Sequence, residues 1–388
     1  MNMTLHRVWM SLMISVVYPL FYTSCGPHTG AGTTKSGLQK KDFNKVLHGD
    51  TTSLFVLEND AGAEVCITNY GGRIVSLMMP DHQGDLRDIV LGFDNIEEYL
   101  SKPSSFGATV GRFANRIAFG KFPLDGDTIH LPINSGEHTI HGGEQGWQNQ
   151  VFSCRQPAEN ILEMSYTSPD GQGGFPGQVS VQVKFMLTSS NEVRIDYQAT
   201  SDKNTVINMT NHSFFNLSGS TARGIGDHIL YVNGDRFTPL QENLIPNGEL
   251  ASVDHSPFDL RDGVPIGEML SKFAKNEQLE IAGGGLDHNM VLNTEGKLTD
   301  LAAQLSSPVS GIIMDVFTTE PGLQVYTGNM LDGSRKGKRK EVYGKHAAVC
   351  LEPQHFPDSP NNPAWPSTAL KAGETYRSTT IYRFRKES

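Results

Sequence analysis

The sequence predicts an all-β chain: a large antiparallel β-sandwich in one domain. Three observations carry that expectation. The first is a hairpin. Val179, Val181, Val183, Phe185 and Leu187 alternate with Ser180, Gln182, Lys184 and Met186; Val193, Ile195, Tyr197 and Ala199 alternate with Arg194, Asp196 and Gln198. The polar stretch Thr188-Ser189-Ser190-Asn191-Glu192 lies between them. Period two on both sides of a polar turn marks a hairpin with one buried face. The second is the recurrence of short apolar runs at 64–68, 161–166, 229–232, 311–318, 347–351 and 379–384. The third is the scarcity of helical pattern, confined to 96–100 and 266–274. No strand–helix alternation of the kind that builds a parallel sheet is visible. With 388 residues the chain is ample for a sizeable core, and its 40 glycines and 20 prolines suit many turns.

In chain order, His6 and Arg7 precede an apolar run over 8–22, broken only by Ser11, Ser15 and Pro19. The run has the shape of a secretory signal and is short for a membrane span. It ends at Tyr22-Thr23-Ser24-Cys25-Gly26, which resembles a lipobox, with Tyr22 where leucine is usual. The expectation is cleavage that leaves Cys25 as a lipidated N-terminus. The product would be an exported lipoprotein, periplasmic or anchored in the outer membrane; plain secretion is the alternative. Residues 26–50 lack apolar periodicity and read as a flexible tether, which places the domain at 51–388. Residues 277–285 and 336–340 read as loops, the second a solvated basic turn with Arg335, Lys336, Lys338, Arg339 and Lys340. Cys66, Cys154 and Cys350 are widely spaced with no CxxC pair, the pattern of buried free thiols. The net charge of −10 argues against nucleic acid or an anionic membrane as partner and leaves neutral substrates open. Membrane contact is expected only through the lipid anchor, and a monomer is expected.

Five polar clusters stand out from the β background. Asn115 and Arg116, in Gly-Arg-Phe-Ala-Asn-Arg-Ile, set an amide beside a forked cation that suits adjacent oxygens. His141 precedes Gly142-Gly143, where backbone can approach a ligand closely. His212 sits in Thr-Asn-His-Ser-Phe-Phe-Asn-Leu, and histidine titrates nearest neutrality. Asp287, in Leu-Asp-His-Asn, offers a carboxylate able to hold two vicinal hydroxyls. Glu352 ends an apolar run, and Pro353 should help end the strand. A partly desolvated carboxylate there has its pKa raised toward that of a general base. Taken singly, each has a plainer reading: a structural histidine, a salt bridge, a turn or a solvated carboxylate.

These segments, with Tyr-Thr-Gly-Asn over 326–329 and Leu-Glu-Pro-Gln over 351–354, resemble the aldose 1-epimerases, the galactose mutarotases. The segments Ser168-Pro169-Asp170-Gly171, Gly174-Phe175-Pro176-Gly177 and Pro257-Phe258-Asp259-Leu260-Arg261 agree. The resemblance runs in order from about Gly71 to Phe384. It implies a galactose mutarotase-like supersandwich, a free aldose as substrate, and neither metal nor organic cofactor. By it, His212 is the general acid and Glu352 the general base. Asn115, Arg116, His141, Asp287 and Gln324 bind the sugar. Two residues depart from the family pattern: Glu320 where glutamine is frequent, and Pro353 where threonine is. Glu320 would add negative charge near the site, with an effect on sugar preference or on the pKa of Glu352.

The residue types fit that chemistry independently. Interchanging anomers needs a base for the C1 hydroxyl proton and an acid for the ring oxygen, each worth about 10²–10⁴-fold. A non-catalytic sugar-binding protein on the same fold would lack His212 or Glu352. A glycoside hydrolase would use two carboxylates, such as Asp287 and Glu352, flanking the bond.

Overall fold

The computed structural model describes residues 32–102 and 104–387. The signal-like segment and Cys25 lie outside these residues. The expected hairpin forms as Val179–Leu187 paired with Glu192–Ser201, and its strict alternation of buried and less buried residues follows the sequence period. It lies within a nine-stranded antiparallel sheet. Ser153–Ala158 and Ile161–Ser168 lie on one side of it. Thr375–Lys386, Ile312–Thr318, Ala303–Ser307, Ile229–Val232 and Val264–Pro265 follow on the other.

A six-stranded sheet faces it, in the order Phe214–Phe215, Val349–Gln354, Gly322–Tyr326, Asp287–Val291, Arg236–Phe237, Ala251–Ser252. One cluster of buried side chains joins the two sheets: Val183, Phe185, Ile195, Met314 and Val316 come from the first, Met290, Leu323, Val325 and Leu351 from the second. Tyr382 of the large sheet donates its hydroxyl to the Leu351 carbonyl at 2.9 Å, so the buried polar end of that ring is satisfied. A four-stranded sheet of Leu54–Glu58, Glu64–Thr68, Arg73–Pro80 and Leu86–Asp88 continues the sandwich.

Four expectations need correction. The tether expected over 26–50 gives way, from residue 32 onward, to folded chain. Lys45–Leu47 pairs with Asp50–Thr52, and Leu38 and Phe43 are buried against Leu54, Cys66 and Tyr70. Two large apolar side chains in a polar stretch were enough to dock it. The loop at 277–285 opens with a short helix, Glu277–Ile281, started by Asn276, whose side chain accepts from the Gln278 and Leu279 amides. The basic turn is not simply solvated. Lys338 is 3% exposed and pairs with Asp88 at 2.6 Å while donating to the Val75 carbonyl at 2.7 Å. Pro353 does not end its strand, which runs on to Gln354. Within that strand Phe214–Phe215 pairs with Val349 and Cys350, so Pro353 lies beyond that pairing and its missing N–H is tolerated. Cys66, Cys154 and Cys350 are all buried.

Candidate active site

The strand Val349–Gln354 places the carboxylate. Leu351 points to the core between the sheets, so Cys350, Glu352 and Gln354 share the other face. In register beside Glu352 stand Gln324, and beyond it Asn289; beside Cys350 stand Tyr326, and beyond it Asp287. Three adjacent strands thus line up a row of polar side chains on one surface. His212 arrives from the short strand Thr210–His212, paired with Ala108–Val110. Its ring stacks on Phe214, centroids 5.0 Å apart and planes 20° apart, with Tyr326 edge-on at 6.5 Å. The apolar rings hold the imidazole in place.

His212 Nε2 lies 3.6 Å from Glu352 Oε1. Both are buried. Burial raises the Glu352 pKa well above the usual carboxylate value, the Asp287 charge raises it further, and Arg116 partly offsets both. Burial lowers the His212 pKa to about 4, and the Arg73 charge adds to that. Arg73 is itself fully buried, donating to the Phe106 and Gln148 carbonyls at 3.0 and 2.6 Å. Both shifts favour the neutral form of each group.

The remaining expected residues surround this pair. Asp287 accepts from Gln324 Nε2 at 2.7 Å and faces Arg116 Nη1 at 3.8 Å. His141 lies 5.3 Å from His212, ring to ring, at 78°. The Asn115 amide donates to His141 Nδ1 at 3.1 Å, and the His141 amide donates back to the Asn115 carbonyl at 3.1 Å. With Nδ1 accepting, the proton of the neutral ring is on Nε2, ready to donate. Burial lowers the His141 pKa well below the usual value, and the neighbouring His212 and Arg116 charges act in the same direction. Asn115 and His141 both have left-handed backbone, φ 63° and 53°, a conformation uncommon outside glycine and often found at sites. The Glu352 Oε2 and Gln324 Oε1 atoms are buried with no hydrogen-bond partner among the described residues. Unpaired acceptors of this kind suit a ligand rich in hydroxyl donors.

All seven expected site residues therefore meet in one place. The expected effect of Glu320 on the Glu352 pKa is not seen. Glu320 accepts from the Tyr376 hydroxyl at 3.0 Å and lies 2.6 Å from His355 Nδ1. Its charge is taken up there, and the charges that shift Glu352 are Asp287 and Arg116. Phe214, Tyr326 and Arg73 were not singled out from the sequence. The first two carried a usable signal: each stands two residues from a predicted site residue in extended chain, hence on its face. Arg73 carried none. The other family-like segments prove to be supports. Ser168 Oγ and the Pro176 carbonyl accept from buried Arg112 at 2.7 Å each. Phe258 stacks on Phe237 at 3.8 Å, while Arg261 ties Asp235, Asp254 and Asp259.

A buried carboxyl–imidazole pair, ringed by an arginine, a carboxylate and amides on an antiparallel sandwich, defines a general acid–base site for a neutral polyhydroxylated ligand. Comparison with known proteins makes the class specific. Residues 53–383 match the family model described as aldose 1-epimerase. The chain is 42% identical to galactose mutarotase of Bos taurus over 338 residues, covering 87% of this chain and 95% of that protein. It is 34% identical to aldose 1-epimerase of Escherichia coli (strain K12), covering 87% and 97%. Among solved structures, an aldose epimerase homologue from C. elegans superposes with a TM-score of 0.80 at 28% identity, covering 87% of this chain and all of that one. Galactose 1-epimerase from Lactobacillus acidophilus gives 0.78 at 27%, covering 89% and 97%. The chain belongs to the aldose 1-epimerase family and is an isomerase acting on aldoses.

Proposed function

We propose that His212 and Glu352 interconvert the α and β anomers of a free galactose- or glucose-type aldose, His212 as general acid and Glu352 as general base. The observation that carries the assignment is their 3.6 Å approach inside a buried, polar-lined site. Glu352 takes the proton from the C1 hydroxyl. The C1–O5 bond breaks as the C1 carbonyl forms, and His212 gives its proton to O5. After rotation about C1–C2, O5 attacks the opposite face of the carbonyl. O5 returns its proton to His212, and O1 recovers one from Glu352. No proton is gained or lost over the cycle. Arg116 and the His141 N–H stabilise the oxygens where charge shifts, in a site that excludes water. Asp287, with Gln324 and Asn115, accepts hydroxyls that orient the ring.

The cycle starts from the charged form, Glu352 carboxylate and His212 imidazolium. The unliganded site favours the neutral form, one proton transfer away. Sugar hydroxyls around the pair replace the lost solvation and favour the charged form. The neutral form favours a second reading, with the Glu352 carboxyl as acid and His212 as base. ¹⁵N NMR of His212 in the complex with 1-deoxygalactose separates the two: imidazolium supports the first assignment, a neutral ring the second. The activity itself is tested by exchange NMR on equilibrated galactose and glucose. Added protein should transfer saturation between the α and β anomeric protons. Absence of exchange with either sugar, and with xylose and arabinose, would contradict the reading. The resemblance of 22–26 to a lipobox supports a further proposal, that the enzyme is exported and anchored through Cys25. Fatty-acid analogue labelling that persists in Cys25→Ala would contradict it.

A further inference from the structure

We infer that the site also forms a binding site for a thiophilic divalent cation, of the zinc or cadmium class, held by His212, Cys350 and Glu352, and that such a cation reversibly blocks anomerisation. One ligand atom from each residue, imidazole nitrogen, thiol sulfur and carboxylate oxygen, lies within 4.8 Å of the other two, and all three residues are buried. Cys350 and Glu352 are two apart on one strand and share a face, while His212 comes from a different strand. The donors therefore converge from two backbone segments. Zn–S distances of about 2.3 Å and Zn–N or Zn–O distances of about 2.0–2.2 Å place tetrahedral ligand atoms about 3.3–3.6 Å apart. The His212–Glu352 pair is already at 3.6 Å. Closing the longest gap needs movement of about 1 Å by side chains. Sulfur, nitrogen and oxygen together select a borderline-soft ion over Mg²⁺ or Ca²⁺, which prefer all-oxygen sites.

The surrounding charges are mixed. Asp287 faces the pair and attracts a cation; Arg116, 3.8 Å from Asp287, opposes it. On binding, the Cys350 S–H bond breaks and its proton leaves to solvent, as does the carboxyl proton of Glu352. The thiolate and the carboxylate then each donate a lone pair to the ion. Three protein ligands leave a fourth position for water or a sugar oxygen. Cys350 makes no proton transfer in the proposed reaction, so it separates the cation site from the catalytic pair.

The test uses the full-length protein, Cys350→Ala and Cys350→Ser. Zn²⁺ in a non-chelating buffer should inhibit the native enzyme, with recovery on adding EDTA. Mg²⁺ should not inhibit. Both variants should keep activity and raise the zinc inhibition constant by about 10–100-fold, the scale on which lost support weakens metal sites. Co²⁺ added to the native protein should give a thiolate-to-metal absorption band that Cys350→Ala lacks. The inhibition arm rests on the acid–base reading; the cobalt band does not, and distinguishes failure of one from failure of the other. Equal zinc sensitivity in native and variant proteins, or a cobalt spectrum without a thiolate band, would overturn the inference. If Cys350→Ala proves unstable, Cys350→Ser, nearly isosteric, carries the comparison.

Discussion

Glu352 is held in an environment that opposes its ionisation. Its folded pKa is raised, so between the unfolded value near 4.5 and the raised value the folded chain keeps a proton that the unfolded chain has lost. Stability from this group therefore falls as pH rises through that window. Glu352→Gln retains the shape and removes the ionisation. We expect it to lose anomerisation while raising the melting temperature at pH 7 by about 1–3 °C, the trade of stability for function seen at strained sites. Calorimetry checks it; a lower melting temperature would show that the carboxyl makes net favourable contacts.

Among elements, the segment 139–147 holds His141 in place. Gly142 has φ +76°, and a Cβ there would sit 2.3 Å from the Gly111 carbonyl oxygen. Gly142→Ala forces backbone to move on both counts. We expect a destabilisation of more than about 1 kcal/mol and lower activity, because His141 and the Asn115 amide are mutually bonded. Urea denaturation with parallel rate measurement checks it, and an unaffected rate would place His141 outside the reaction.

At this scale the sequence was most readable where one side chain period dominated. The 179–201 hairpin was legible because period two ran unbroken on both strands. The short helix at 277–281 was hidden because five residues are too few to show a helical period, and only the Asn276 cap announced it. Lys338 looked like solvent-facing charge because its partner, Asp88, is 250 residues away in sequence. The catalytic candidates were legible because they lie in family-like motifs. Arg73, which acts on His212 by charge alone, is separated from it by more than a hundred residues and has no local signature.

Across the whole molecule, buried histidines set the acid limit. His212 and His228 have pKa values lowered to about 4, and His288 to about 3, all chiefly by burial. Ring nitrogens of two of them accept backbone amides, His228 from Leu217 at 2.9 Å and His288 from Asp287 at 3.1 Å, which requires neutral rings. Below the unfolded value near 6.5 the unfolded chain takes up protons that the folded chain refuses until pH falls to about 4 or 3. Stability is thus fully present above about pH 6.5 and declines as pH falls toward 4, by up to about 3 kcal/mol per histidine. Denaturant midpoints at pH 7, 6, 5 and 4 should fall steadily. A flat profile would mean that these rings protonate within the folded protein.

The central claim is that one buried pair, His212 and Glu352, does the chemistry. Polarimetry of freshly dissolved α-D-galactose, with native protein, Glu352→Gln and His212→Asn at equal concentration, tests it most directly. The native protein should hasten the approach to the same final rotation, and each variant should lose about 10²-fold or more of that acceleration while remaining folded. Near-native rates in either folded variant would contradict the account.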